Sequence, residues 1–421
     1  MDQRRRRNIW ILGLAGFGTN VGWGLNKVFT AVILGARGAG LPMIGAVLGL
    51  QGLFGIILNP VTGYFSDRLH TRVGRRGPFL LVGYPGAAIA LLFLYFAHSL
   101  GVALAAVIAF FFFVQMSQAP YMAMMPDSYD SSEYGKAAGT LNVLWMFGTL
   151  VAFLVIPLVW QLFGHLPAFV LGAVILAASG VATALYDRPG VSGTKPRQHS
   201  GFQPLSSLEF WKYLIAQTLW WLGFEAIASF FTPFMLHVLG GTVFDAALSM
   251  SIFSVAAMGV SVIFGRLYRQ HDARVLLGAV LALFVLTALF GLLIHTVIQV
   301  FAMLFFAGIS WGGIQVISYP LAVDTLREDL ARRKGVAGDR AGEETAALHG
   351  SVYGVVNLVQ ALGLMIAAPL AGEAIGLTGG DYRTIFVVSA LSMVLALGFV
   401  ASLRRMPAAG AAPHVAVSEE Q

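Results

Sequence analysis

GYFSDRLHTRVGRRGPF, residues 63–79, places Asp67 and four arginines, Arg68, Arg72, Arg75 and Arg76, at the junction of two long apolar runs, 41–66 and 77–98. A helix needs roughly 20 apolar residues to cross a bilayer core. Both runs reach that length, and the charged stretch between them is what lipid excludes. The same pattern repeats outward in both directions, with spans at 9–34, 41–66, 77–98, 101–125, 136–162, 166–186, 208–239, 242–265, 274–296, 297–323, 348–376 and 382–403. Each run is uniformly apolar and the chain holds 49 glycines, which suits closely packed helices and not barrel strands of alternating polarity. The predicted fold class is an all-α polytopic membrane protein with twelve transmembrane helices.

Composition agrees. Of the 421 residues, 57% are hydrophobic and 11% charged, and the mean hydropathy is +0.78. That is too little charge to coat a water-soluble fold of this length, which excludes a cytosolic enzyme. Zero cysteines exclude a disulfide scaffold, a thiolate metal site and a cysteine nucleophile. Nine histidines show no metal-ligand spacing, and no phosphate loop or nucleophile-base set is visible. The sequence therefore predicts no enzyme, no energy-coupling ATPase, no cofactor and no bound metal.

The basic pI near 9.6 is explained by topology. With twelve crossings both termini share a side, and 23 of the 26 Lys and Arg fall there; Arg37 and Arg383 lie opposite and Lys27 lies within a span. The positive-inside rule then predicts a multi-pass cell-membrane protein with both termini in the cytoplasm, and no nucleic-acid partner. Arg4 to Arg7 resemble the start of a signal peptide, but the apolar run that follows is too long and lacks a small-residue cleavage site. It reads as a retained first span.

The stretch from Asp187 to Ser207 is the most polar inside the chain. It divides the sequence into a six-helix bundle at 1–186, a cytoplasmic linker at 187–207, a second six-helix bundle at 208–403 and a cytoplasmic tail at 404–421. Features recur between the halves at an offset near 200. Trp23 and Lys27 correspond to Trp221 and Glu225, Gly63 to Gly265, and Pro120 to Pro320. Two such repeats point to a rocker-type secondary transporter with its site between the halves.

With these motifs in view, the chain resembles the major facilitator superfamily, whose loop between helices two and three carries G-x-x-x-D-R followed by G-R-R or G-R-K. The insertion of LHTRV before Gly74 resembles the glycoside-pentoside-hexuronide symporters and the proton-coupled sucrose transporters. GWGLNK at residues 22–27, NPVTG at 59–63, SYPLA at 318–322 and GVVNL at 354–358 are similar to that branch as well. The resemblance implies a sugar, glycoside or similar polyhydroxylated solute moved by alternating access, with a proton as the preferred coupling ion. The family's fourth-helix Asp and Arg are here Phe111 and Met122, and the Asp before its second-helix proline is here Asn59.

A charge at lipid depth costs several kcal/mol unless it meets water or a partner, so Lys27 and Glu225 are candidates for function. Each follows a tryptophan by four residues, one turn along the same face. The repeat sets their helices opposite each other, where they face the cavity as a pair or near-pair. Glu225 is the proton-carrier candidate, and Lys27 a ligand for hydroxyl or carboxylate oxygens. Asn20, Asn26, Gln115, Gln118, Gln315 and Asn357 supply candidate hydrogen bonds to the solute, and Trp23, Tyr121, Trp221 and Trp311 supply aromatic faces for C–H surfaces. The competing explanation for each is that amides tie helices together and rings fill the core. Gating is expected of Gly63, where helices would approach closely, of Asp67 with Arg68, Arg75 and Arg76, and of Asp127 and Asp324. The expected partners are one small-molecule solute, with a proton, and the lipid bilayer, the chain acting as a monomer. Two rivals stand beside this expectation: a carrier of an organic anion or amphiphile, and a non-transporting sensor or assembly factor on the same scaffold.

Overall fold

The apolar runs fold as helices. The first half of the chain holds α1 (Gln3–Ala36), α2 (Leu41–Arg68), α3 (Gly77–Phe96), α4 (Leu100–Ser128), α5 (Tyr134–Leu150), α6 (Ile156–Phe163) and α7 (His165–Tyr186). The second holds α8 (Leu208–His237), α9 (Val243–Gln270), α10 (Ala273–Gly291), α11 (Val297–Lys334), α12 (Asp339–Leu377) and α13 (Thr384–Ala401). This computed structural model describes residues 3–69, 71–128, 134–186, 207–334 and 339–404, so the expected linker, except Ser207, and all of the expected tail except Arg404 lie outside the described residues.

A π-helical turn, Val151–Val155, joins α5 to α6, making one rod of the fifth predicted span. Its cause is local. Pro157 has no N–H to return to the carbonyl four residues back, and the Ile156 N–H bonds to the Val151 carbonyl instead. The described residues thus make twelve helical rods. Eleven are long and apolar enough to cross a membrane by length and composition. The twelfth, α1, is diluted by Thr19, Asn20, Asn26, Lys27 and Thr30, which sit in its middle. The charged segment from Arg327 to Glu344, which the sequence reads as a surface helix or a flexible loop, continues α11 as helix to Lys334, as its Glu, Leu, Ala, Arg and Lys favour. It begins α12 from Asp339, and residues 335–338 lie outside the described residues.

In the first half, α1 packs on α5 and α7, and α3 on α4 and α7; in the second, α8 packs on α12 and α13, and α11 on α9 and α10. The halves meet mainly where α2 lies against α12, with further contacts of α1 on α8 and of the α5–α6 rod on α9. The α2–α12 contact is tightest at the end of the bundle away from the α2–α3 loop. A Cβ at Gly45 would stand 2.4 Å from the Ala368 carbonyl oxygen, and one at Gly52 would stand 2.3 Å from that of Ala361. Only glycine allows two backbones so close. Gly63, expected to serve this purpose, does not: a Cβ there would meet only the Ala119 Cβ, at 3.9 Å. The close approach lies higher on the same helix.

Candidate functional site

On α1, Asn20, Trp23, Gly24 and Lys27 follow the i, i+3, i+4, i+7 spacing of one helical face, and all four border a cavity of about 170 Å³ between the halves. Opposite, α8 presents Phe224, Ile227, Ala228 and Phe231 with the same spacing. Thr149 of α5 and Phe153 of the π turn add to the first wall, while α9, α10 and α11 carry the cavity deep into the second half. Six of its eighteen lining residues come from the first half and twelve from the second. Only Asn20, Lys27, Thr149 and Thr287 are polar, and three of these four are on the first-half side.

Among the described residues, Lys27 is the one charged side chain on this lining. Its Nζ donates to Glu225 Oε1 in a direct ion pair that joins α1 to α8 across the halves. Glu225 is 3% exposed, and Ser229 Oγ donates to the same Oε1 at 2.9 Å. Pairing is what makes two charges tolerable at this depth, and removing one partner would leave the other stranded. Near Lys27 the wall is held in place. Thr149 Oγ1 donates to Asn20 Oδ1 at 3.2 Å, and Trp23 stacks on Phe111 with ring centroids 5.8 Å apart.

The other residues singled out for solute contact lie off the cavity. Asn26 is 2% exposed and donates to Thr30 Oγ1 at 2.9 Å on its own helix. Gln115 Nε2 donates to the Gln51 carbonyl at 3.0 Å, tying α4 to α2. Tyr121 is buried and accepts from Trp145 Nε1 at 2.9 Å within the first half. Gln118 and Asn357 are half-buried away from the lining, and Gln315 is exposed. Trp311 stacks on Phe224 with centroids 3.9 Å apart, and Trp221 stands edge-on to Trp311 at 4.9 Å. These two indoles brace the wall from behind. In each case an amide or ring that suits a solute suits a neighbouring helix equally well, and helix rotation decides which it meets.

Of the expected gate charges, Asp67 and Asp324 each bond to a group of their own half. Asp67 Oδ1 pairs with Arg76 Nη2 at 2.6 Å, Arg76 also donates to Ser66 Oγ, and Arg68 lies over the Tyr64 ring at 3.5 Å. Arg76 is 4% exposed and Arg75 half-buried. The turn between them depends on Gly74, whose φ of +84° is the left-handed region. Asp324 accepts from Tyr268 OH, joining α11 to α9. The side chain of Asp127 lies outside the described residues.

Sequence reasoning missed most of the cavity: Thr149, Phe153, Phe224, Ile227, Phe231, Phe253, Phe284 and Thr287 among others. For α8 the signal was present, because Phe224, Ile227, Ala228 and Phe231 repeat the spacing of the α1 face. For α10 none was, since Phe284 and Thr287 look like any core positions.

The family model described as Major Facilitator Superfamily matches residues 12–337. Among curated relatives, the human Proton-associated sugar transporter A is 31% identical over 103 residues, which are 24% of this chain and 14% of that protein's length. The mouse protein of the same name is 31% identical over 107 residues, 25% of this chain and again 14% of the relative. Among solved structures, a bacterial homolog to the human lysosomal transporter Spinster, in an inward-facing and occupied conformation, superposes with a TM-score of 0.73 at 16% identity, over 95% of this chain and 97% of that one. The nucleoside transporter NupG superposes with a TM-score of 0.74 at 14% identity, over 94% of this chain and 100% of that one. At these identities the structural likeness shows the fold.

Proposed function

For a chain that belongs to the Major Facilitator Superfamily, and so is a multi-pass transporter of small-molecule solutes and not an enzyme, we propose proton-coupled secondary transport by alternating access, with an amphipathic organic solute bound in the cavity beside Lys27 and Glu225. One observation carries this: an ion pair spanning the two halves stands at an otherwise largely apolar cavity between them. Rocking the halves apart about that cavity separates Lys27 from Glu225 unless something takes each charge, and a proton on the carboxylate does so for Glu225. The tight α2–α12 seam beyond it supports a state closed at the end away from the α2–α3 loop. With both termini in the cytoplasm of a cell-membrane monomer, the site then opens inward.

Four polar positions among eighteen are few for a free sugar, whose hydroxyls call for many directional partners. They suit a solute with a broad apolar body and a compact polar end. A second reading, a sugar or glycoside, is favoured by the loop at residues 63–79 and by the partial identity to a sugar transporter. Proteoliposomes with an imposed proton gradient test the coupling, using whichever solute from a panel of sugars, glycosides and amphipathic acids shows saturable counterflow. Glu225→Gln is expected to abolish accumulation against the gradient while leaving exchange. Unchanged accumulation in that variant refutes the role of Glu225.

A further inference from the structure

Counting charge at the cavity through one cycle constrains the solute. In the described state the site is neutral, with Lys27 positive and Glu225 negative in direct contact. Among the described residues, no acid other than Glu225 pairs with Lys27 and none borders the cavity. Among described side chains, the helices packed on α8 carry Asp245, Asp324, Glu328, Asp329 and Glu373. Asp245 closes the capping box with Thr242, Asp324 accepts from Tyr268, Glu328 and Asp329 lie about six turns along α11 from its cavity residue Ala307, and Glu373 is exposed near the far end of α12. Ser229 is the other polar side chain bonded to Glu225, and it carries no charge to offer. Once Glu225 takes a proton, therefore, Lys27 becomes an unpaired ammonium on an apolar wall, which a low-dielectric site penalises strongly. A neutral solute leaves that penalty in place through the whole translocation step, whereas an anionic one removes it.

Resting on the transporter reading above and going one step beyond it, we propose that the solute is an organic anion with an apolar body, whose acidic group takes the place of Glu225 at Lys27, so that each cycle carries one anion and one proton with no net charge. The step balances. Water supplies a proton to the Glu225 carboxylate, the Lys27–Glu225 contact opens, and the solute anion pairs with the Lys27 ammonium. Release of the anion and loss of the proton on the other side restore the pair. The cavity fits such a molecule at both ends. Lys27, Asn20 and Thr149 form a polar end on the first half, and Phe231, Phe284, Met303 and Leu304 form an apolar recess within the second.

The test uses the purified full chain with three probes. Naphthalene-2-sulfonate stays anionic across the usable pH range, naphthalene-2-sulfonamide is its neutral counterpart of similar shape, and methyl β-glucoside is a small sugar. Binding is read from thermal stabilisation, transport from uptake into proteoliposomes, and charge movement on a solid-supported membrane. The sulfonate is expected to stabilise the protein more strongly at pH 5.5 than at pH 7.5, and to move with a proton and no current. Glu225→Gln, which frees Lys27 permanently, is expected to bind it at least tenfold more tightly than wild type at pH 7.5 and without pH dependence. Lys27→Met is expected to lose binding and Lys27→Arg to keep it, the second guarding against a simple folding defect.

Equal stabilisation by the sulfonamide, a current during sulfonate uptake, or unchanged affinity in Glu225→Gln each overturns the anion exchange at Lys27. Proton-driven uptake of methyl β-glucoside without sulfonate binding overturns it alone and leaves the transporter reading standing. A well-folded protein that neither binds nor moves any of the three overturns both.

Discussion

Gly52→Ala probes whether the α2–α12 seam sets the resting conformation. An alanine Cβ there would stand 2.3 Å from the Ala361 carbonyl oxygen and 2.3 Å from the Met365 amide nitrogen. Both are backbone atoms of α12, so neither can rotate aside, and restoring ordinary contact requires the helices to part by about 1 Å. Overpacking of this kind costs about 1–3 kcal/mol. Charged to the state in which the seam is closed, that is a shift of roughly 5- to 150-fold in the conformational equilibrium. The chain has no cysteine, so Arg37→Cys and Leu377→Cys give one unique spin-label pair. These are exposed sites beside the seam on opposite halves. Pulsed electron-electron double resonance should show the distance distribution broaden to longer values in Gly52→Ala, with a lower unfolding midpoint. Gly63→Ala, whose new Cβ would meet only Ala119 at 3.9 Å, should change neither. An unaltered distribution and midpoint in Gly52→Ala would refute the argument that backbone contact holds this end shut.

Two further outcomes concern charge. Lys27→Met strands the Glu225 carboxylate, which is 3% exposed and among the described residues keeps its Ser229 partner. The expected loss is about 2–4 kcal/mol, taking the cost of breaking a buried pair and allowing about 1 kcal/mol for the remaining hydrogen bond. Lys27→Met/Glu225→Met should recover most of it in thermal unfolding, and a double variant no more stable than the single one would count against the pair. Asp67→Ala removes the carboxylate that pairs with the buried Arg76 guanidinium at 2.6 Å. Because Asp67 is itself 46% exposed, the expected destabilisation is about 1–2 kcal/mol, seen as a lower unfolding midpoint.

How far the site was legible follows from which residues announce their surroundings. Lys27 and Glu225 stood out because an ionisable group in an apolar run is expensive wherever it points, and the shared offset of 198 with Trp23 and Trp221 indicated that their helices are counterparts. Asn26 and Gln115 drew the same attention on weaker grounds. An amide is satisfied as readily by Thr30 or by the Gln51 carbonyl as by a solute, and only the rotation of the helix distinguishes the two. Phe231 and Phe284 drew none, because an apolar ring on a cavity wall is written no differently from one in the core. The π turn at Val151–Val155 has a local origin in Pro157, yet its consequence, Phe153 on the cavity wall, depends on where α1 lies.

The amino-acid sequence alone determined the helices, their number to within the diluted first span, and the presence of two charges that must find partners in lipid. These follow from hydropathy, chain length and the cost of an unpaired charge, which are local quantities. Tertiary structure alone decided that of the expected pair Lys27 borders the cavity while Glu225 is buried off its lining, that Asp67 and Asp324 bond within their own halves, and that the close approach falls at Gly45 and Gly52 and not at Gly63. It also decided that the cavity runs mostly through the second half. Those outcomes depend on the rotation and depth of one helix against another, which many side chains set together and no short stretch encodes.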